Sequence, residues 1–299
     1  MIESSIGAVN LDGSRNDLIF FDTPEAETTN FSPKVSLGFT PREDVLVYAS
    51  YTIGFKSGTF NTTNIYDQPE YVDPEEVTSI EIGAKSQWLD RALTLNGAIF
   101  ENTIDDLQVQ FVSLISGGAV SLENAGSARI RGAELDSQWL PMPNSNPGLV
   151  LTLSAAYLDS EYTDYRNASG FNEAGVYNFG QGDFTGNEVV RTPEFTANLG
   201  MNQVFSAFDS GELELAASIY YSSGLYFLAQ NTQASYQDEY YLLDASLSYL
   251  HYRSNIRATI FGKNINDEHY ATSQIHGDAG RVEYLAPPAV YGLRLSWEY

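Results

Sequence analysis

The sequence predicts an all-β chain whose roughly eleven strands form part of a transmembrane, antiparallel up-and-down β-barrel. Three observations carry that prediction. From Tyr291 to Tyr299 the chain alternates Tyr, Leu, Leu, Trp, Tyr with Gly, Arg, Ser, Glu. Successive side chains of a strand point to opposite faces, so this segment has one wholly apolar face. The same alternation recurs along the chain, and the connections between segments are short on one side and mostly longer on the other. Trp88, Trp139 and Trp297 each lie near the end of a segment running toward the short-turn side.

Composition bounds the rest. The 299 residues carry 39 Asp plus Glu against 15 Lys plus Arg, a formal net charge of -24. That excludes a nucleic-acid partner, since phosphate backbones require basic patches. Zero cysteines exclude disulfides, zinc-thiolate sites and thiol nucleophiles. No apolar run reaches the roughly 18 residues of a membrane-spanning helix, and the residues after Met1 do not read as a secretory signal, with no basic region and apolar core in view. Barrel strands escape such hydropathy criteria because their alternation averages out.

Taken in order, residues 1–32 read as loop with at most one partial strand, at LIFF 18–21. From Pro33 onward the chain reads as strands. Val35, Leu37 and Phe39 alternate, PRED (41–44) turns, and Val45 to Ile53 return. After the polar stretch 56–76, Ile80 to Trp88 descend, turn at 89–91, and Leu93 onward climbs to about Phe111. Ala133, Leu135 and Trp139 descend opposite Glu134, Asp136 and Gln138; the breaker PMPNSNP (141–147) follows. Leu149 to Tyr157 rise into a long loop at about 161–188. Phe195 to Met201 descend, Leu213 to Tyr221 rise, Tyr241 to Tyr249 descend and Ile256 to Ile260 rise. The last strand descends from about Glu283. Phe205, Tyr249 and Tyr299 join the three tryptophans as an expected aromatic girdle at one membrane interface.

The chain shows no catalytic constellation, and it reads as a non-enzyme without cofactor or metal site. GQGDFTG (180–186) lacks the spacing and the following helix of a phosphate loop. Asp267, His269 and Ser273 are close in sequence, but geometry rather than proximity defines a triad. Glu134, Asp136, Gln138, Glu212 and Glu214 are expected to face a polar lumen. Ligand recognition is expected in the long loops, at Tyr66, Tyr71, Phe171, Tyr177, Phe179, Phe184, Tyr226, Phe227, His276 and Arg281, where aromatic and polar groups could converge. The acidic loops disfavour an anionic ligand and offer oxygen ligands to divalent cations.

Several stretches resemble a known family in the family's own order: YASYTIGFKSGTFN (48–61), YVDPEEVTSIEIGAKSQWLDRALTLNGAIFENTIDDLQV (71–109), ENAGSARIRGAELDSQWLP (123–141), and FGKNINDEHYATS (261–273) followed by YGLRLSWEY. From about residue 33 to the end the chain resembles TonB-dependent outer-membrane receptors, of the siderophore-receptor kind. The resemblance implies a plug domain inside a barrel of about 22 strands. It further implies import of a ferric siderophore, cobalamin or another scarce nutrient such as a saccharide, powered through the TonB complex, in the outer membrane of a Gram-negative cell.

With no plug, no TonB box and half the strands in view, residues 33–299 read as the C-terminal half of such a barrel, lying against outer-membrane lipid. Eleven antiparallel strands cannot close as a fully antiparallel ring, and open edges in lipid cost several kcal/mol per unsatisfied group. A non-transporting truncated fragment is therefore the alternative reading.

Overall fold

The apolar-polar alternation becomes one sheet of eleven strands. The computed structural model describes residues 8–9, 15–16, 25–61, 70–113, 119–124, 126–178, 180–207, 210–277 and 280–297. Its long strands are β1 (Lys34–Arg42), β2 (Val45–Lys56), β3 (Glu75–Trp88), β4 (Leu93–Asp105), β5 (Ser127–Trp139), β6 (Leu149–Asp164), β7 (Phe195–Ala207), β8 (Gly211–Ser222), β9 (Tyr240–His251), β10 (Ile256–Lys263) and β11 (Val290–Trp297). Each pairs antiparallel with its chain neighbour, leaving β1 and β11 as open edges. The connections 43–44, 89–92, 140–148, 208–210 and 252–255 fall at one end; 57–74, 106–126, 165–194, 223–239 and 264–289 fall at the other. Among the described residues no helix is long and apolar enough to cross a membrane, which says nothing about strands.

Side-chain parity sorts the sheet into two faces. One carries rows such as Leu153, Leu199, Ile219 and Leu243, paired strand to strand. These apolar side chains stay uncovered: Leu199 is 52% exposed and Leu293 66%. Toward the long-loop end this face turns polar, with Arg131 ion-paired to Glu101 and Arg129 to Glu161. The other face holds a polar network. Tyr48 donates to Glu81 Oε1 (2.6 Å), Asn202 to Glu214 Oε1 (2.7 Å), and Arg257 Nη1 to Glu214 Oε2 (3.0 Å). Glu134 and Asp136 sit on this face as expected, and Asp136 accepts from Ser154 Oγ at 3.0 Å.

Aromatic rings on the polar face lie over glycines of the adjacent strand. Phe100 is paired with Gly132, and a Cβ there would meet Phe100 Cζ at 2.5 Å and Leu158 Cδ2 at 2.8 Å. Gly132→Val is therefore expected to lower barrel stability by about 1–3 kcal/mol through overpacking. Heat-modifiable gel mobility of the folded protein checks this, and an unchanged melting midpoint would count against it.

Strand ends are where the structure departs from the sequence reading. β4 does not reach Phe111: Asp106 adopts φ 53°, and Gln108–Ser113 pairs instead with Ala119–Asn124 as a separate hairpin. Asn124 fastens the bend by donating to Asp106 O (2.7 Å) and Asp73 O (3.0 Å). β11 does not begin at Glu283. Gly280–Leu285 pairs with Ala271–Gly277, and Pro287 and Pro288, which lack an N–H, separate that hairpin from β11. β6 runs on to Asp164, past the expected loop start. In 1–32, Ala8–Val9 pairs with Arg15–Asn16, while LIFF lies outside the described residues.

The buried core lies at the long-loop end of the sheet, where β5 and β6 meet the loops. Tyr162, Ala128 and Ala168 (each 0% exposed) pack with Tyr165, Phe184, Val109 and Val189. Tyr165 bridges them, its ring centroid 5.1 Å from Tyr162 and 5.3 Å from Phe184.

Candidate ligand-binding site

Above that core, three long connections meet around a cavity of about 430 Å³. Connection 165–194 supplies Tyr165, Phe171, Tyr177 and Arg191; 223–239 supplies Phe227; 264–289 supplies Ser273 and His276. Gln108 joins from the hairpin that follows β4, with its side chain donating to Ser57 O (3.1 Å) and Asp73 O (2.9 Å). A second, shallower concavity of about 370 Å³ lies on the polar face of the sheet, lined by Tyr48, Lys85, Glu134, Asp136 and Tyr220. The loop cavity is the better candidate because it gathers aromatic rings, a histidine and an arginine from separate connections.

Four of the nominated residues meet there: Phe171, Tyr177, Phe227 and His276. Phe171 and Tyr177 form a bridge across their loop with an edge-to-face ring contact at 5.1 Å. Four others go elsewhere. Phe184 is 8% exposed inside the loop core. Tyr226 packs on Tyr236 (4.9 Å), and Tyr71 packs on Phe60 (5.0 Å) and shares a hydrogen bond with Thr28 Oγ1 at 3.1 Å. Arg281 stands behind the cavity wall, donating to Ala234 O (2.6 Å) and pairing with Glu283 (3.1 Å). Tyr66 and Phe179 lie outside the described residues.

Asp267, His269 and Ser273 do not share a strand. Asp267 is in a turn at φ 53° and accepts from Ala289 N (2.9 Å), and only Ser273 belongs to a strand.

Arg191 was not singled out by sequence. It is one of only two basic residues in 165–194, and the other, Arg166, pairs with Asp164. Its backbone sits at φ 59°, a region uncommon for a non-glycine residue. Its N–H donates to Tyr226 O (2.9 Å), its guanidinium lies 5.7 Å from the Phe227 ring centre, and Nη2 donates to Ser273 Oγ (3.0 Å). Three connections thus hold one guanidinium at the cavity wall. Among the described residues no group of three or more His, Asp or Glu side chains is placed to hold a metal ion.

Burial, and then the Arg281 charge, lower the pKa of His276 below the ordinary 6.5; Glu283 acts in the opposite sense. The folded hairpin 271–285 consequently binds fewer protons than its opened form. Its stability is full above pH 6.5 and falls as the pH drops through 6.5 toward the depressed value. Amide protection of residues 271–277 is expected to be lower at about pH 5 than at about pH 7.5, and His276→Gln to remove most of that difference. Equal protection at both pH values would contradict this.

At the opposite end of the sheet, Trp88, Trp139 and Trp297 occupy the last positions of β3, β5 and β11; Phe205 and Tyr249 lie two residues from the ends of β7 and β9. All five share the parity of the apolar face, where Trp139 pairs with Leu93 and Trp297 with Ile256. Tyr299 lies outside the described residues.

The fold and the cavity can be set beside known proteins. Residues 6–265 match the family described as TonB dependent receptor-like, beta-barrel. A probable TonB-dependent siderophore receptor, PiuA of Acinetobacter baumannii, is 25% identical over 245 residues, covering 80% of this chain and 30% of the relative. The pesticin receptor of Yersinia enterocolitica is 26% identical over 257 residues, covering 85% and 34% respectively. Among solved structures, the ferric yersiniabactin uptake receptor FyuA from Yersinia pestis superimposes with a TM-score of 0.67 at 23% identity, over 87% of this chain and 36% of that one. The chain thus spans about a third of the length of the relatives it matches. It belongs to the TonB-dependent receptor-like β-barrel family.

Proposed function

We propose that this chain is part of the barrel of an outer-membrane receptor that takes up a scarce nutrient, a ferric siderophore in the first instance. In this reading residues 33–299 form the barrel portion, with 1–32 leading into it. The apolar face meets outer-membrane lipid, and Trp88, Trp139, Phe205, Tyr249 and Trp297 form a girdle at the short-turn interface. The long connections face the outside and present the ligand site. The TonB complex acts through a plug domain, as the family resemblance implies.

One observation carries the ligand reading: Phe171, Tyr177, Phe227 and His276, from three separate connections, converge on one cavity with Arg191. Family membership and the siderophore receptor among the relatives supply the cargo class. The test is radioiron uptake by iron-starved cells that produce the receptor carrying this segment. Joint replacement of Phe171 and Phe227 by Ala is expected to reduce uptake about tenfold or more, since aromatic anchors dominate binding. Uptake unchanged by that replacement would rule out the cavity as the ligand site.

A further inference from the structure

The chain carries 39 acidic residues, yet among the described residues none of them lines the loop cavity. Its wall holds aromatic rings, amides, small residues, one arginine and one histidine. The sequence-level expectation that acidic loops disfavour an anion averages charge over whole connections, and the cavity is not average. Glu188 and Glu194 flank Arg191 in the chain, but neither lines the cavity or forms an ion pair with it. Arg191 is exposed at the cavity wall, and a guanidinium without a carboxylate at contact distance retains its affinity for an incoming anion, because no internal counter-ion must first be displaced.

The guanidinium is also fixed before any ligand arrives. One side lies over the Phe227 ring, and Nη2 is held by Ser273 Oγ. A planar fork has five donors, so most remain for a ligand. Phe171 and Tyr177 present aromatic surface in the same cavity. On this basis we infer that the cavity selects an anionic aryl group, its negative oxygen atoms on Arg191 with His276 nearby and its ring against Phe171, Tyr177 and Phe227. This deepens the uptake reading and rests on it for the identity of the cargo: among ferric chelates it assigns those with aryl, negatively charged iron-binding arms.

The test uses three probes on the receptor carrying this segment in isolated outer membranes. They are a ferric tris-catecholate (aryl, net negative), a ferric trihydroxamate (non-aryl, uncharged) and iron-free salicylate (a small aryl anion). The inference expects the catecholate chelate to bind at least tenfold more tightly than the trihydroxamate. It expects Arg191→Gln to reduce that preference about tenfold, with Arg191→Lys intermediate, as for loss of a charge-assisted fork. Equal binding of both chelates, with a ratio unmoved by Arg191→Gln, would overturn the inference and leave the uptake reading standing. Salicylate binding that depends on Arg191, with no chelate bound, would support the anion site and overturn the iron cargo. Binding of none of the three would overturn both.

Discussion

Leu199→Arg is expected to destabilise the folded barrel in a bilayer by about 2–4 kcal/mol, the cost described for a cationic side chain facing lipid near the midplane. Leu199 lies in the middle of β7, paired with Leu153 and Ile219, and is 52% exposed. The neighbouring Asn198→Arg serves as the control. Asn198 pairs with Ser154 and Tyr220 on the polar face, where a long cation reaches water and carboxylates such as Asp136. Its expected cost is within the ordinary surface range of about 0.5 kcal/mol. Denaturant titration in lipid vesicles separates the two. Equal costs would contradict the assignment of faces.

The second large effect concerns the loops. Tyr165→Ala is expected to cost about 3–5 kcal/mol, the range for removing a buried aromatic ring. Tyr165 is 3% exposed and bridges Tyr162 to Phe184. Its backbone is tied in as well: Phe184 N–H donates to Tyr165 O (2.9 Å), and Tyr165 N–H donates to Thr185 Oγ1 (3.0 Å). Tyr165 itself lies just beyond β6 and takes no part in the strand pairing of the sheet. The variant should therefore keep its β-sheet circular dichroism while 165–194 becomes sensitive to protease, and the cavity built on that loop should be lost. A loop that stays protease-resistant in the variant would show that the ring cluster does not hold it.

The strands and their sidedness were legible because period-two alternation is a local signal, and the short turns at 43–44, 89–92 and 252–255 punctuate it. Strand ends were not. The hairpins 108–113/119–124 and 271–277/280–285 alternate as the barrel strands do. A left-handed Asp106 divides the first from β4, and left-handed Asn264 and Asp267 with the Pro287–Pro288 step divide the second from β10 and β11. In the loops, aromatic density was enough to nominate Phe171, Tyr177, Phe227 and His276. It could not tell Phe171, which lines the cavity, from Phe184, which fills the core, since the difference is a tertiary contact with Tyr165. Arg191 was hidden for another reason: its role comes from Phe227 and Ser273, which are distant in sequence.

The central claim is that one face of this sheet meets lipid and the other an aqueous lumen. The absence of native cysteine makes that directly measurable. Single cysteines placed at each position from Ala197 to Asn202 on β7 can carry a nitroxide spin label in a membrane-embedded receptor. Accessibility to oxygen and to a water-soluble nickel chelate is then read for each label. The account predicts a strict period of two: oxygen favoured at 197, 199 and 201, and the nickel chelate at 198, 200 and 202. Nickel access equal at all six positions would contradict it, because both faces of the sheet would then lie in water.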